Sequence, residues 1–197
     1  IREYIRNFIM SKLETNTIDT ISGTSNLTIG SSNASTITLK SGATLTNFPT
    51  NTPAFYVYNN ADQTGISSAS TTKATFNTED FDTDNAFASS KFTVPSAKGG
   101  KYFIGASVKL QAVDGYDKAN LGFVYIYKNG SEIAQGGEID FRNNPGRKYI
   151  GNISGVFDLS ASDYIEIYAQ LTTVSGDVKF ASSASRPTKF YGYKLIT

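Results

Sequence analysis

The chain has 197 residues, of which 39% are hydrophobic and only 18% charged, and its 18 basic and 17 acidic residues leave a formal net charge of +1. It has no His and no Cys, which excludes imidazole acid–base catalysis, a thiol nucleophile, disulfides and the usual zinc, haem and iron–sulfur ligand sets. No basic run marks a nucleic-acid footprint, and no apolar run reaches the ~18 residues of a membrane span, so neither nucleic-acid binding nor membrane insertion is expected. The only N-terminal apolar cluster is broken by Arg6 and Asn7, so no signal peptide is read there. Ser, Thr, Asn and Gly take the place of charge, as on many extracellular β proteins and fibres.

Residues 1–14, IREYIRNFIMSKLE, place Ile1, Ile5, Phe8, Ile9 and Leu13 on one helical face. So short a helix is marginal alone in water. It is expected either to dock as a terminal helix or to seed a coiled-coil-like trimer. Met10 is the only Met, and MSKLETNTI reads as a natural start, which would leave residues 1–9 as an upstream extension.

Residues 15–52 change character to Thr, Ser, Asn and Gly with isolated aliphatics. Leu27 and Ile29, Ile37 and Leu39, and Ala43 and Leu45 each flank a Thr at period two, with turns at Gly30–Asn33 and Lys40–Gly42. One chain of this kind buries too little to fold alone. Three chains wound about an axis would bury Leu27, Ile29, Ile37, Leu39 and Leu45. A flexible Ser/Thr linker needs no such alternation, so a β-structured stem is expected.

From residue 53 the pattern becomes strand after strand. Strands are expected over 53–60, 64–76, 87–94, 101–113, 121–128, 131–141, 148–159, 163–174, 176–181 and 189–196. Asp114-Gly115 and Asn129-Gly130 are hairpin signals. Roughly eight to ten strands with turns every ten to fifteen residues predict an all-β antiparallel sandwich or jelly roll over 53–197. No helix is needed after residue 14.

The aromatic spacing of this head resembles the C1q-like domains of the C1q/TNF jelly rolls. Phe76, Asp82 and Phe87 match the opening of that pattern, followed by Phe92-Thr93-Val94-Pro95 and Gly100-Lys101-Tyr102-Phe103. Tyr125–Gly130, Ser154–Leu159, Asp163–Ile167 and the closing Phe190-Tyr191-Gly192-Tyr193 continue it in order. The gap from Phe87 to Phe92 is shorter than in the family pattern, the segment from Phe92 to Gly100 is longer, and Ile104 replaces an aromatic. Those departures affect loop lengths and register. The resemblance implies a compact homotrimer packed around a three-fold axis above an N-terminal stalk. The stalk is similar to the Ser/Thr/Gly shafts of bacteriophage fibres, and the start at Met10 resembles the opening of virion structural proteins of marine phages.

Several residues carry functional expectations. Phe55, Phe76, Phe92, Phe103, Phe157 and Phe190 are expected in the core. Tyr102, Tyr125, Tyr168 and Tyr193 are candidates for the trimer axis, since Tyr buries a ring and keeps its hydroxyl bonded. Tyr116 is a recognition-loop candidate. The oxygen-rich loop Thr78–Asn85, with Asp80, Asp82 and Asp84, is a weak candidate for Ca²⁺, and Asp114, Asp117 and Asp177 are weaker ones. Otherwise no cofactor is expected. Asn26, Asn33, Asn129 and Asn152 head N-x-S/T sequons of the kind expected by chance in such a composition. Glu132, Glu138 and Asp140 are the one carboxylate cluster that glycoside hydrolysis could draw on.

These features predict a non-enzymatic trimeric fibre protein at a virion surface or in an extracellular setting. Its head would attach to a host-surface protein or glycan. The alternatives are a structural building block contacting other virion or fibre proteins and, further off, a carboxylate-based glycosidase.

Overall fold

The computed structural model describes residues 51–115 and 118–196, together with Ser41. The expected helix over 1–14, the stem residues Leu27, Ile29, Ile37, Leu39 and Leu45, and Tyr116 lie outside the described residues.

The described chain is all-β, and every strand pairing in it is antiparallel. In order it forms β1 (Ala54–Tyr58), β2 (Gln63–Ile66), β3 (Thr72–Lys73), β4 (Thr78–Asp82), β5 (Phe87–Ala88), β6 (Lys91–Thr93) and β7 (Gly100–Ala112). Then follow β8 (Ala119–Lys128), β9 (Ser131–Asp140), β10 (Lys148–Leu159), β11 (Tyr164–Thr173), β12 (Val178–Phe180) and β13 (Lys189–Lys194). Two sheets pack face to face. In the first, β7 pairs with β10 along its whole length on one side. On its other side β7 meets β13 and then β12, and the sheet continues from β13 to β1 and β4 and from β12 to β2. In the second, the order is β5-β6-β11-β8-β9, and β3 also pairs with β11.

The 13-residue β7 shows why alternation dominates here. Tyr102, Ile104, Ala106, Val108, Leu110 and Ala112 all face inward and are buried. Successive residues of a strand point to opposite faces, so Phe103 cannot share that core. It faces outward against Tyr191 and Tyr193, which corrects its expected core position. Phe157 faces inward on the edge strand β10 and is only half-buried, packed on the core rather than within it.

Phenyl rings fill the middle of the sandwich. Phe55 stacks on Phe92 of the opposite sheet with centroids 4.6 Å apart and meets Phe190 edge-on at 4.8 Å. Phe87 and Phe76 close around Phe190 at 5.9 and 5.6 Å. The shortened gap before Phe92 is absorbed by a tight turn. Ser89 and Ser90 both adopt positive φ, 51° and 56°, so that Phe87 lies opposite Phe92 in the β5–β6 pair. Asn129 (φ 52°) and Gly130 (φ 80°) make the β8–β9 turn that their sequence signals.

One expected loop is a strand. Thr78–Asp82 of the acidic segment pairs with β1 from Tyr58↔Thr78 to Phe55↔Asp82, across a bulge between Tyr56 and Val57. It is a sheet-edge strand whose side chains are polar except for the exposed Phe81, so no hydrophobic alternation announces it. Charged edges of this kind discourage further strand addition.

Phe55→Ala removes the ring that contacts Phe87, Phe92 and Phe190. It is expected to cost about 3–5 kcal/mol of unfolding free energy by the scale of large-to-small core changes, measured by urea denaturation. A loss under about 1 kcal/mol would contradict the central role of this stack.

Candidate functional site

The outward face of the first sheet carries a continuous band of aromatic rings with exposed members. Register builds it row by row. Phe81 pairs with Tyr56, Tyr56 with Tyr191, and Tyr191 with Gly105. In the next row Ala54 pairs with Tyr193, Tyr193 with Phe103, and Phe103 with Val156. Ring centroids run 6.5 Å from Phe81 to Tyr56, 5.9 Å on to Tyr191, 6.3 Å to Phe103 and 5.5 Å to Tyr193. Gly105 makes the row continuous: a Cβ there would sit 2.7 Å from the Tyr191 ring, so only glycine lets that ring lie across β7. Phe81 is 50% exposed, Val156 56% and Tyr193 39%. Charges flank the apolar patch in a matched pair, Lys101 lying opposite Asp158.

The four tyrosines expected at one axis occupy three different places. Tyr102 lies inside the sandwich with no exposure and donates its hydroxyl to the Lys98 carbonyl at 2.6 Å. Burial, with a contribution from Asp84, pushes its pKa up to about 12. It cannot reach a neighbouring subunit, and the expectation is withdrawn on that ground. Tyr125 and Tyr168 pair with each other on the outward face of the second sheet. There they form a strip with Phe123 and Tyr127, in which Tyr127 and Tyr168 approach to 4.3 Å. A Lys73–Glu166 ion pair of 2.6 Å borders the strip. Only Tyr193 stands on the uncovered face of the first sheet. Sequence reasoning missed its partners Tyr56, Phe81, Tyr191 and Val156. Their signal was the register between strands far apart in the chain.

The three aspartates of the acidic segment are already engaged. Asp80 pairs with Arg186, whose guanidinium also lies 4.2 Å over the Tyr58 ring. Asp82 accepts the Phe87 N–H at 2.8 Å, and Asp84 accepts the Thr83 hydroxyl at 2.7 Å with Lys98 at 3.7 Å. Among the described residues no group of His, Cys, Asp or Glu side chains converges as a metal cluster.

The carboxylates of β9 are not arranged as a hydrolytic pair. Arg142 holds Asp140 ionised through hydrogen bonds to its side chain, lowering its pKa to about 2, the reverse of what a general acid requires. Glu132 lies opposite Tyr127 and Glu138 adjoins Ile139, which lies opposite Gly122, so the two stand about four residues apart along β8, roughly 13 Å at strand rise, beyond the separation of a glycosidase pair.

Asp163 has a different task. It accepts from the Asn129 amide at 2.7 Å and the Ser160 N–H at 2.8 Å, with Lys128 at 2.7 Å. Asn129 in turn accepts the Tyr164 N–H at 2.9 Å. The β8–β9 turn is thereby tied to the start of β11. Hydrogen bonds from Lys128, then Asn129, then the Ser160 amide lower the Asp163 pKa to about 2.

Solved structures share this architecture. The chain is similar to the globular domain of zebrafish complement 1qA protein, at 14% identity and a TM-score of 0.50, over 73% of this chain and 98% of that one. The fold is a C1q/TNF-like jelly roll. Murine APRIL (12% identity, TM-score 0.46, 72% and 98% of the two chains) and the Eiger TNF of S. frugiperda (10%, 0.49, 73% and 92%) also match. No protein-family model matches the chain, and no curated protein matches it by sequence. At these identities the likeness is one of fold.

The Asp163 network predicts an acid-sensitive step. Its folded pKa is depressed, so its contribution is complete above the unfolded value of about 3.9 and is lost as pH falls towards 2. Asp163→Asn is expected to lower the thermal midpoint at neutral pH and to flatten the decline of that midpoint below about pH 4, read by circular dichroism. Identical pH profiles for the variant and the parent would refute this role.

Proposed function

We propose that this chain is a non-enzymatic, homotrimeric fibre or virion-surface protein whose C1q/TNF-like head attaches to a protein or glycan on a host surface. The observation that carries the reading is the uncovered aromatic face of Tyr56, Phe81, Phe103, Val156, Tyr191 and Tyr193. Exposed apolar patches rimmed by polar groups mark interaction sites, and Tyr is favoured in interface cores. The occupant proposed is a second copy of this chain. The head is close to neutral overall, so like copies do not repel strongly. Lys101 and Asp158 stand side by side at the rim, offering both signs to an identical neighbour.

A trimer adds function to this geometry. Three heads on one stalk present three equal surfaces, so weak single contacts combine through effective concentration. The Ser/Thr/Gly repeats of residues 15–52 support a stalk that holds three chains in register. The second sheet, with its Tyr strip, faces away from the proposed axis and stays available for contact.

Light scattering of the whole chain is expected to report three copies per particle. Tyr193→Asp combined with Val156→Asp places two carboxylates on exposed positions of the packing face. Each such change at an interface centre costs about 2 kcal/mol or more. The double variant is expected to give single chains with an unchanged β-sheet spectrum. A monomeric parent sinks the assembly reading. So does a variant that stays trimeric.

A further inference from the structure

The outward face of the first sheet changes chemistry along β7. Aromatics cover it at Phe103 and Gly105. Six residues beyond Phe103, about 20 Å at strand rise, it turns basic. Lys109 lies opposite Ile150, and Gln111 lies between Lys148 of β10 and Lys179 of β12. Lys179 is neutralised by Asp62 at 2.7 Å, and Asp62 also accepts the Ser182 N–H at 2.7 Å. Asp62 is the acid that feels Lys109, and it is thus already held. Neither Lys109 nor Lys148 has an ion-pair partner among the described residues.

Those two cations border an open cavity of about 440 Å³ that is also lined by Ile150, Ser183, Ser185 and Pro187, with Tyr149 of β10 beneath it. The far wall is held in place. Ser107 donates its hydroxyl to the Pro187 carbonyl at 2.7 Å. The buried Thr188 donates to the Ala181 carbonyl at 2.7 Å and accepts the Lys109 N–H at 3.1 Å. Arg186 is turned away from the cavity by its pairing with Asp80 and its seat over Tyr58. Its N–H closes a turn onto the Ser183 carbonyl at 2.9 Å, and that turn brings the Ser183 and Ser185 hydroxyls to 2.9 Å from each other. Tyr149 turns its ring inward and donates its hydroxyl to the Gly137 carbonyl of β9, which fixes the β10 backbone beneath the cavity.

We propose that this cavity binds an acidic sugar, a saccharide ring carrying a carboxylate or a sulfate. The anion sits between the ammonium groups of Lys109 and Lys148. Ring hydroxyls meet Ser183 and Ser185, and the apolar face of the ring lies against Ile150 and Pro187. The volume is that of a small-molecule site, too large for a bare inorganic anion. Two neighbouring cations are too few and too local for a nucleic-acid backbone, which needs a longer basic track. A wall that mixes hydroxyls, apolar patches and point charges matches the mixed surface of an acidic sugar. The proposal rests on the reading of the head as a binding module and names one class of ligand for it.

The test uses the whole chain and three probes: 3′-sialyllactose for the carboxylate, galactose 6-sulfate for the sulfate, and lactose as the neutral control. Binding is measured by titration calorimetry, with particle mass recorded alongside. One or both acidic probes are expected to bind at least about tenfold tighter than lactose, as charge-assisted contacts allow. That binding should weaken as salt is raised. Lys148→Ala and Lys109→Ala are each expected to weaken it by about fivefold, while Lys91→Ala on the second sheet leaves it unchanged. Equal binding of lactose, no binding of either acidic probe, or full retention by Lys148→Ala overturns the proposal, as does tighter binding of an oligoglutamate peptide than of either sugar. A parent that is monomeric yet binds the acidic probe through Lys109 and Lys148 removes the trimer and leaves this site standing.

Discussion

The stack of Phe55 on Phe92, with Phe190 against its edge, is the contact on which the rest of the head depends. Phe55 belongs to β1 and Phe190 to β13 of one sheet, while Phe92 belongs to β6 of the other. The rings therefore hold the two sheets at one point and in one register. Aromatic pairs at such distances add about 0.5–1.5 kcal/mol beyond the area they bury. More important is the geometric result. Once Phe55 and Phe190 face inward, period two sends Tyr56 and Tyr191 outward, side by side. The inner stack and the outer aromatic band are two consequences of one register.

The outward face of the first sheet is divided along β7. Its aromatic end offers apolar area and little net charge, which suits a copy of the same chain. Its basic end offers two ammonium groups without an ion-pair partner among the described residues, beside a cavity one wall of which is stitched to β7 through Ser107 and Thr188. Different chemistries share one rigid surface, so neither requires the fold to move. The second sheet offers a third surface, the Tyr127–Tyr168 strip, and its Glu166 is neutralised by Lys73.

Much of the fold was legible in the sequence because long strands announce themselves. The expected strands 101–113, 121–128, 131–141, 148–159 and 163–174 correspond to β7 to β11 within a residue or two. The Asn129-Gly130 turn was legible because two consecutive positive φ values suit that dipeptide. The acidic segment misled because an exposed edge strand needs main-chain partners rather than an apolar face. Its pairing with β1 depends on a residue more than twenty positions away. The tyrosines misled for another reason. Composition says that Tyr suits an interface, but it does not say which of two faces, or which side of one face, a given Tyr occupies.

By itself the sequence determined the fold class and the phenyl-rich core, because these follow from local periodicity and the need to bury aromatic area. It also excluded His and Cys chemistry by the plain absence of those side chains. Tertiary structure alone decided that Tyr102 is core while Tyr193 is surface, that Phe81 and Val156 belong to one patch, and that Asp80 answers to Arg186. It alone brought Lys109 and Lys148 to the same cavity as Ser183 and Ser185. These groupings are set by register between strands distant in the chain, and local periodicity carries no information about which strands become neighbours.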